Sequence, residues 1–169
     1  MKLSYYFFFC TLCILIAFSA CKHDEEELSS EDLIANSNYP EEIGRIMINK
    51  CATAGCHDNI SYEAAAGLNL ITWNDLFKGG NGGAVVIPFR GDQSTMLYYV
   101  NHDSILSLPA LLPTMPVNGE KLTQDEITTL YNWIQNGAPD KSGFIKFSDN
   151  PLRRKYYVTN QGCDFVTVF

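Results

Sequence analysis

Residues 51–57, CATAGCH, crowd two thiols and an imidazole into a single short loop. That loop limits the fold more than any other stretch, because one local turn has to aim all three groups at a common target. The four spacers Ala52, Thr53, Ala54 and Gly55 are small, so a wide loop can still close beneath a flat body. Gly55 also relaxes the backbone just before Cys56. A disulfide between Cys51 and Cys56 would account for the thiols but not for His57. Structural zinc would need a fourth ligand brought from afar, Cys163 or His102, and adjacent Cys and His ligands crowd a tetrahedral site.

Covalent haem requires this order of residue types: two sulfurs for the ring edge, then a histidine beside the second sulfur for the iron. The usual spacing is C-x-x-C-H, and the four-residue spacer here departs from it. On these residues alone, a disulfide loop and a haem-attachment loop both stay open.

The start of the chain speaks to compartment. Lys2 is followed by the apolar run YYFFFCTLCILIAFSA, Tyr5 to Ala20, which is short for a membrane span and matches the core of a signal peptide. It ends Phe18-Ser19-Ala20-Cys21, which resembles a bacterial lipobox with phenylalanine where leucine is usual. The resemblance implies removal of residues 1–20, acylation of Cys21 and anchoring to the outer membrane. Residues 21–38 are acidic and polar and are expected to form a flexible, solvated tether. Acids directly behind such a cysteine also resemble the surface-export signal of Bacteroidota lipoproteins, so the expected location is the periplasmic side or the cell surface.

An oxidising compartment permits disulfides. Beyond Cys21 the cysteines are Cys51, Cys56 and Cys163, an odd number, so at least one is not paired within the chain. The 169-residue chain has a net charge of −7, and removing residues 1–20 takes away Lys2 and no acid, which leaves −8. Such a balance does not suit nucleic acid or anionic lipid headgroups.

The patterning from 39 to 140 is mainly helical. Tyr39 to Lys50 reads as one helix that delivers its C-terminal end to Cys51: Pro40 suits the first turn, Glu41 and Glu42 the positive end of the dipole, and Ile43, Ile46 and Met47 share a face. SYEAAA, 61–66, suggests one helical turn stopped by Gly67. Thr72 with Asp75 resembles a capping box before a brief helix ended by Gly79. GGNGG lacks the Lys-Ser/Thr that a phosphate-cradling loop needs, and reads as a tight turn with close backbone approach. Asp92 or Ser94 caps a short helix through Met96, Leu97, Tyr99 and Val100. SILSLPALLPTMPVNG, 104–119, is a proline-broken apolar loop, and an apolar loop normally has something to cover. Thr123 and Glu126 form a T-x-x-E box ahead of Ile127, Leu130, Tyr131 and Ile134, with Gly137 and Pro139 as the stop. Past 140, KYYVTN and DFVTVF are strand-like. They resemble the opening of a YVTN-type β-propeller, so residues 141–169 are expected to be a linker and the truncated start of a β module.

A helix entering the Cys-Cys-His motif, Gly67-Leu68-x-Leu70, the GG-x-GG turn, Thr114-Met115-Pro116 and a capped helix ending Trp133-Ile134-x-x-Gly137-Ala138-Pro139 follow in order. That succession, covering more than half of the chain, resembles the Planctomycete-type and related Bacteroidota cytochrome c domains. The Pro88 to Asp92 segment departs from the family's tighter proline-glycine turn. The resemblance implies a small helical domain of short helices and long loops around one haem c, with thioethers at Cys51 and Cys56. His57 would be the proximal iron ligand and Met115 the distal one; His102 is the other candidate for the distal place. It also implies that Gly44 lets the last helix cross the first closely. Two filled axial positions imply electron transfer with a redox partner protein rather than catalysis, and no nucleophile-base-acid arrangement is evident. The alternative is a disulfide-stapled, non-redox domain that presents a downstream β-propeller.

Overall fold

The computed structural model describes residues 29–146 and the backbone of two strands further on. The leader at 1–20, Cys21 and Cys163 lie outside the described residues. The described part is mainly α-helical, as the patterning implies.

The first helix, α1 (Ser30–Asn36), replaces the expected tether over those seven residues, while 21–28 lie outside the described residues. Ser29 caps it by accepting the Asp32 amide at 3.2 Å. Glu31 and Asp32 stand on the outside, where Glu31 meets Arg45 at 3.0 Å. Ile34 turns inward and is buried.

Helix α2 (Glu41–Ile46) does not run on as α-helix to Lys50. It passes into a π-helical turn, Met47–Cys51, closed by the Ala52 amide on the Met47 carbonyl at 2.7 Å. Gly44 has a different role from the one the resemblance implied. A Cβ there would lie 3.2 Å from Ile34 Cγ2 and 3.4 Å from Ser37 Oγ, so the glycine makes room for α1 and the turn after it.

Residues 61–66 form successive turns instead of a helix, with Ala64 bonded to Ser61 and Ala65 to Tyr62. Helix α3 (Trp73–Leu76) starts at Thr72, whose hydroxyl accepts the Asp75 amide at 3.1 Å. The GGNGG stretch is the expected tight turn: Gly80 and Gly83 exchange amide–carbonyl bonds, and a Cβ on Gly79 would sit 2.5 Å from the Gly83 carbonyl oxygen. Helix α4 (Thr95–Val100) follows Ser94, which makes no side-chain cap. Its hydroxyl accepts from Ile87 N and donates to the Arg90 carbonyl, tying down the preceding loop. Helix α5 (Gln124–Gln135) has the full reciprocal capping box of Thr123 and Glu126.

These helices enclose one apolar core in which Tyr39, Met47, Trp73, Leu97, Ile127 and Ile134 are almost wholly buried. Among the described residues, every buried side-chain nitrogen and oxygen has a partner. The two later strands, β1 (Tyr157–Asn160) and β2 (Phe165–Val168), pair antiparallel with Tyr157 opposite Val168. No described helix is long and apolar enough to cross a membrane.

Candidate functional site

The π-turn carries Cys51 on its last residue. Such a turn widens the helix by one residue per hydrogen-bonded ring and recurs at functional sites. The loop that follows is closed by main-chain bonds, Cys56 N to Thr53 O at 3.0 Å and His57 N to Cys51 O at 3.2 Å. Gly55 has φ +82° with open space around it, so the backbone conformation, not crowding, calls for glycine.

Asp58 fixes the far side of the loop. Its carboxylate accepts the amides of Ser61 at 2.6 Å, Ile60 at 2.7 Å and Gly55 at 3.0 Å. Those bonds, Ser61's first, hold its carboxyl below the usual range despite burial. The Asp-x-x-Ser spacing directly after His57 was a readable signal for this turn and went unused.

Cys51 and Cys56 are both free thiols, half-buried and exposed respectively. Burial pushes the Cys51 thiol up to about 12, with the charges of Glu126 and Cys56 adding and Lys50 opposing. Lys50 is itself paired with Glu126 at 3.0 Å, and that pair ties the capped start of α5 to the residue before Cys51. The thiolate is the reactive form. At pH 8 only on the order of one Cys51 in ten thousand is ionised. In cofactor-free protein, iodoacetamide should therefore label Cys56 at least ~100-fold faster than Cys51 at pH 8, read by peptide mass spectrometry. Equal rates would mean that Cys51 is not enclosed. The same burial favours the protonated fold, so its contribution is complete below the unfolded thiol's value and fades as pH rises. Above roughly pH 9 the fold should lose stability as pH rises, and Cys51→Ser should lessen that loss.

His57 is half-buried, and its Nδ1 stands 2.9 Å from the Leu68 carbonyl oxygen. A carbonyl can only accept, so Nδ1 carries a proton, and in the neutral ring the lone pair is on Nε2. Leu70 N bonds back to the His57 carbonyl at 2.8 Å, so the 68–70 segment holds both the ring and the backbone of the histidine. Outer hydrogen bonds of this kind set the tautomer and orientation of metal-binding imidazoles. Tyr39 steadies the segment from within the core, its buried hydroxyl lying 3.3 Å from Leu70 O and 3.1 Å from Thr72 O.

Met115 is half-buried and borders the same apolar core as Cys51. Its amide donates to Tyr99 O at 2.8 Å, and Leu111 N to Tyr98 O at 2.9 Å, so α4 holds the apolar loop. Fully buried Asn101 pins the start of that loop through the Leu106 and Leu108 carbonyls. Leu111, Leu112 and Val117 remain exposed around Met115, as does Ile60 just after His57.

His102 is placed quite differently. Its Nε2 lies 2.7 Å from Leu122 O and its Nδ1 lies 2.9 Å from Asp103 Oδ2. The Leu122 carbonyl first, and Asp103 next, raise its pKa. A ring whose two nitrogens both donate has no lone pair to offer a metal. Among the described residues, no three His, Cys, Asp or Glu side chains are grouped to hold a metal ion, so Cys51, Cys56 and His57 do not converge as a zinc site.

No protein-family model matches the chain, and neither does any curated protein or solved structure.

The donor set itself fits a covalently held haem. Two unbridged thiols flank a loop that ends in an imidazole with one nitrogen anchored and the other free. A thioether stands on a separate apolar loop bordering the same core.

Proposed function

We propose that residues 39–140 form a cytochrome c-like domain that binds one haem c and transfers electrons. The observation that carries this reading is the His57 Nδ1 bond to the Leu68 carbonyl, which leaves Nε2 available at the end of a loop whose two thiols are unbridged. Cys51 and Cys56 would hold the haem through thioethers, His57 would be the proximal ligand and Met115 the distal one. When bound, the haem supplies one-electron redox chemistry. The protein's part is to orient His57 through Leu68, to fix the attachment loop through Asp58, and to keep water from one side with the apolar loop around Met115. With His57 and Met115 both holding the iron, no substrate would reach it, and the domain would relay electrons to and from a partner protein. The leader and Cys21 extend the reading to an exported lipoprotein of the outer membrane, and residues 141–169 to the start of a propeller-like module.

Expression alongside a c-type maturation system tests the reading. The full chain should be red and keep its haem on the polypeptide through acid–acetone extraction. Colourless protein with a Cys51–Cys56 disulfide would replace this reading with the stapled, non-redox domain.

A further inference from the structure

Met115 stands on a loop with no regular secondary structure, and its thioether is a weak, flexible ligand. Lys121 bears directly on that weakness. Its ammonium donates to the carbonyl of Thr114 at 2.6 Å and also to the carbonyl of Pro116. These are the two residues on either side of Met115. Among the described residues Lys121 makes no ion pair, so its charge is directed to this pair of carbonyls. Hydrogen bonds from a charged donor are the stronger kind.

Three bonds thus hold the three-residue stretch 114–116. The Met115 amide is held by Tyr99, the carbonyl before it by Lys121, and the carbonyl after it by Lys121 again. Lys121 in turn is anchored by its neighbour: Leu122 is buried, and its carbonyl accepts from His102. The frame therefore runs from the core, through Leu122 and Lys121, to the carbonyls of the residues before and after the methionine.

We propose that Lys121 is the positioning residue of the distal ligand, fixing the backbone on both sides of Met115 so that its sulfur is presented to the iron. This rests on the haem reading and deepens it. A ligand held by its frame resists displacement, and one whose frame is loosened gives way to exogenous ligands.

The test compares wild type, Lys121→Ala, Lys121→Arg and Lys141→Ala, the last removing a lysine-to-carbonyl bond of the same kind, to Ala35, away from the loop. In cofactor-free protein with unchanged far-UV circular dichroism, amide exchange at Met115 should quicken about tenfold in Lys121→Ala and not in Lys141→Ala. In haem-loaded protein, Lys121→Ala should keep its covalent haem, lose most of the sulfur-to-iron absorption band, and bind imidazole about tenfold more tightly. Lys121→Arg should recover part of both, since it keeps the charge and the donors. If Lys121→Ala keeps the band and the imidazole affinity of wild type, the positioning role is overturned and the haem reading stands. If wild type takes up no haem, the haem reading fails and the ligand role of Lys121 fails with it, whatever the exchange rates.

Discussion

Met115→Ala should leave the haem on the chain and still change its chemistry more than any other single substitution outside the attachment loop. On the proposed haem reading, it would leave the covalent links at Cys51 and Cys56 and the imidazole of His57 untouched. What would disappear is the proposed soft sulfur ligand, which favours the reduced metal. The sulfur-to-iron band should vanish, and the reduction potential should fall by on the order of a quarter of the ~0.8 V span that axial ligation governs. His102→Ala should do neither, because both nitrogens of that ring already face acceptors, Leu122 O and Asp103 Oδ2. If wild type shows no sulfur-to-iron band, and its spectrum and potential are unchanged in Met115→Ala but altered in His102→Ala, the ligand assignment is reversed, and the 101–104 segment must rearrange on loading.

Much of the frame that places these groups could be read from residues whose chemistry is local. Thr123 and Glu126 announce α5 because a capping box is satisfied within one turn. The GGNGG turn is legible for a similar reason: its glycines answer to contacts a few residues away. The cluster at 51–57 is visible as a cluster, since its members adjoin in sequence. What escaped depends on backbone geometry, or on partners that only the folded chain brings together. Acidic 30–36 looks solvated until Arg45 pairs with Glu31 and Gly44 receives Ile34. The orienting partner of His57 is a backbone carbonyl at Leu68, and no residue type advertises a carbonyl. Lys121 reads as a surface charge until the loop folds back and sets Thr114 and Pro116 against it. The π-turn before Cys51 changes the helical register with no glycine or proline to mark it.

Trp73→Ala should unfold the domain more thoroughly than any loop substitution, and its effect does not depend on haem. Trp73 is 2% exposed and packs edge-on against Phe77 at 4.8 Å between ring centroids. Its amide donates to Ser37 O at 2.8 Å and its indole nitrogen to Ala138 O at 2.9 Å. Trp133 takes the next carbonyl, Pro139 O, at the same distance, so the two indoles together clamp the chain as it leaves α5. Truncation to alanine opens a cavity, which for a buried tryptophan costs about 3–5 kcal/mol. It also strands the carbonyl of fully buried Ala138, for about 1–3 kcal/mol more. Against a typical total of roughly 5–15 kcal/mol, that leaves a cofactor-free domain near or past its unfolding threshold. Thermal unfolding followed by far-UV circular dichroism should show the midpoint lowered by more than about 10 °C. The consequence reaches the site, because Trp73 begins α3 directly after Thr72, where Tyr39 holds the end of the segment that carries Leu68. Trp73→Phe keeps most of the packing and loses the indole bond, so it should fall in between. If Trp73→Ala melted with wild type, the clamp at Ala138 and Pro139 would not be what closes this core.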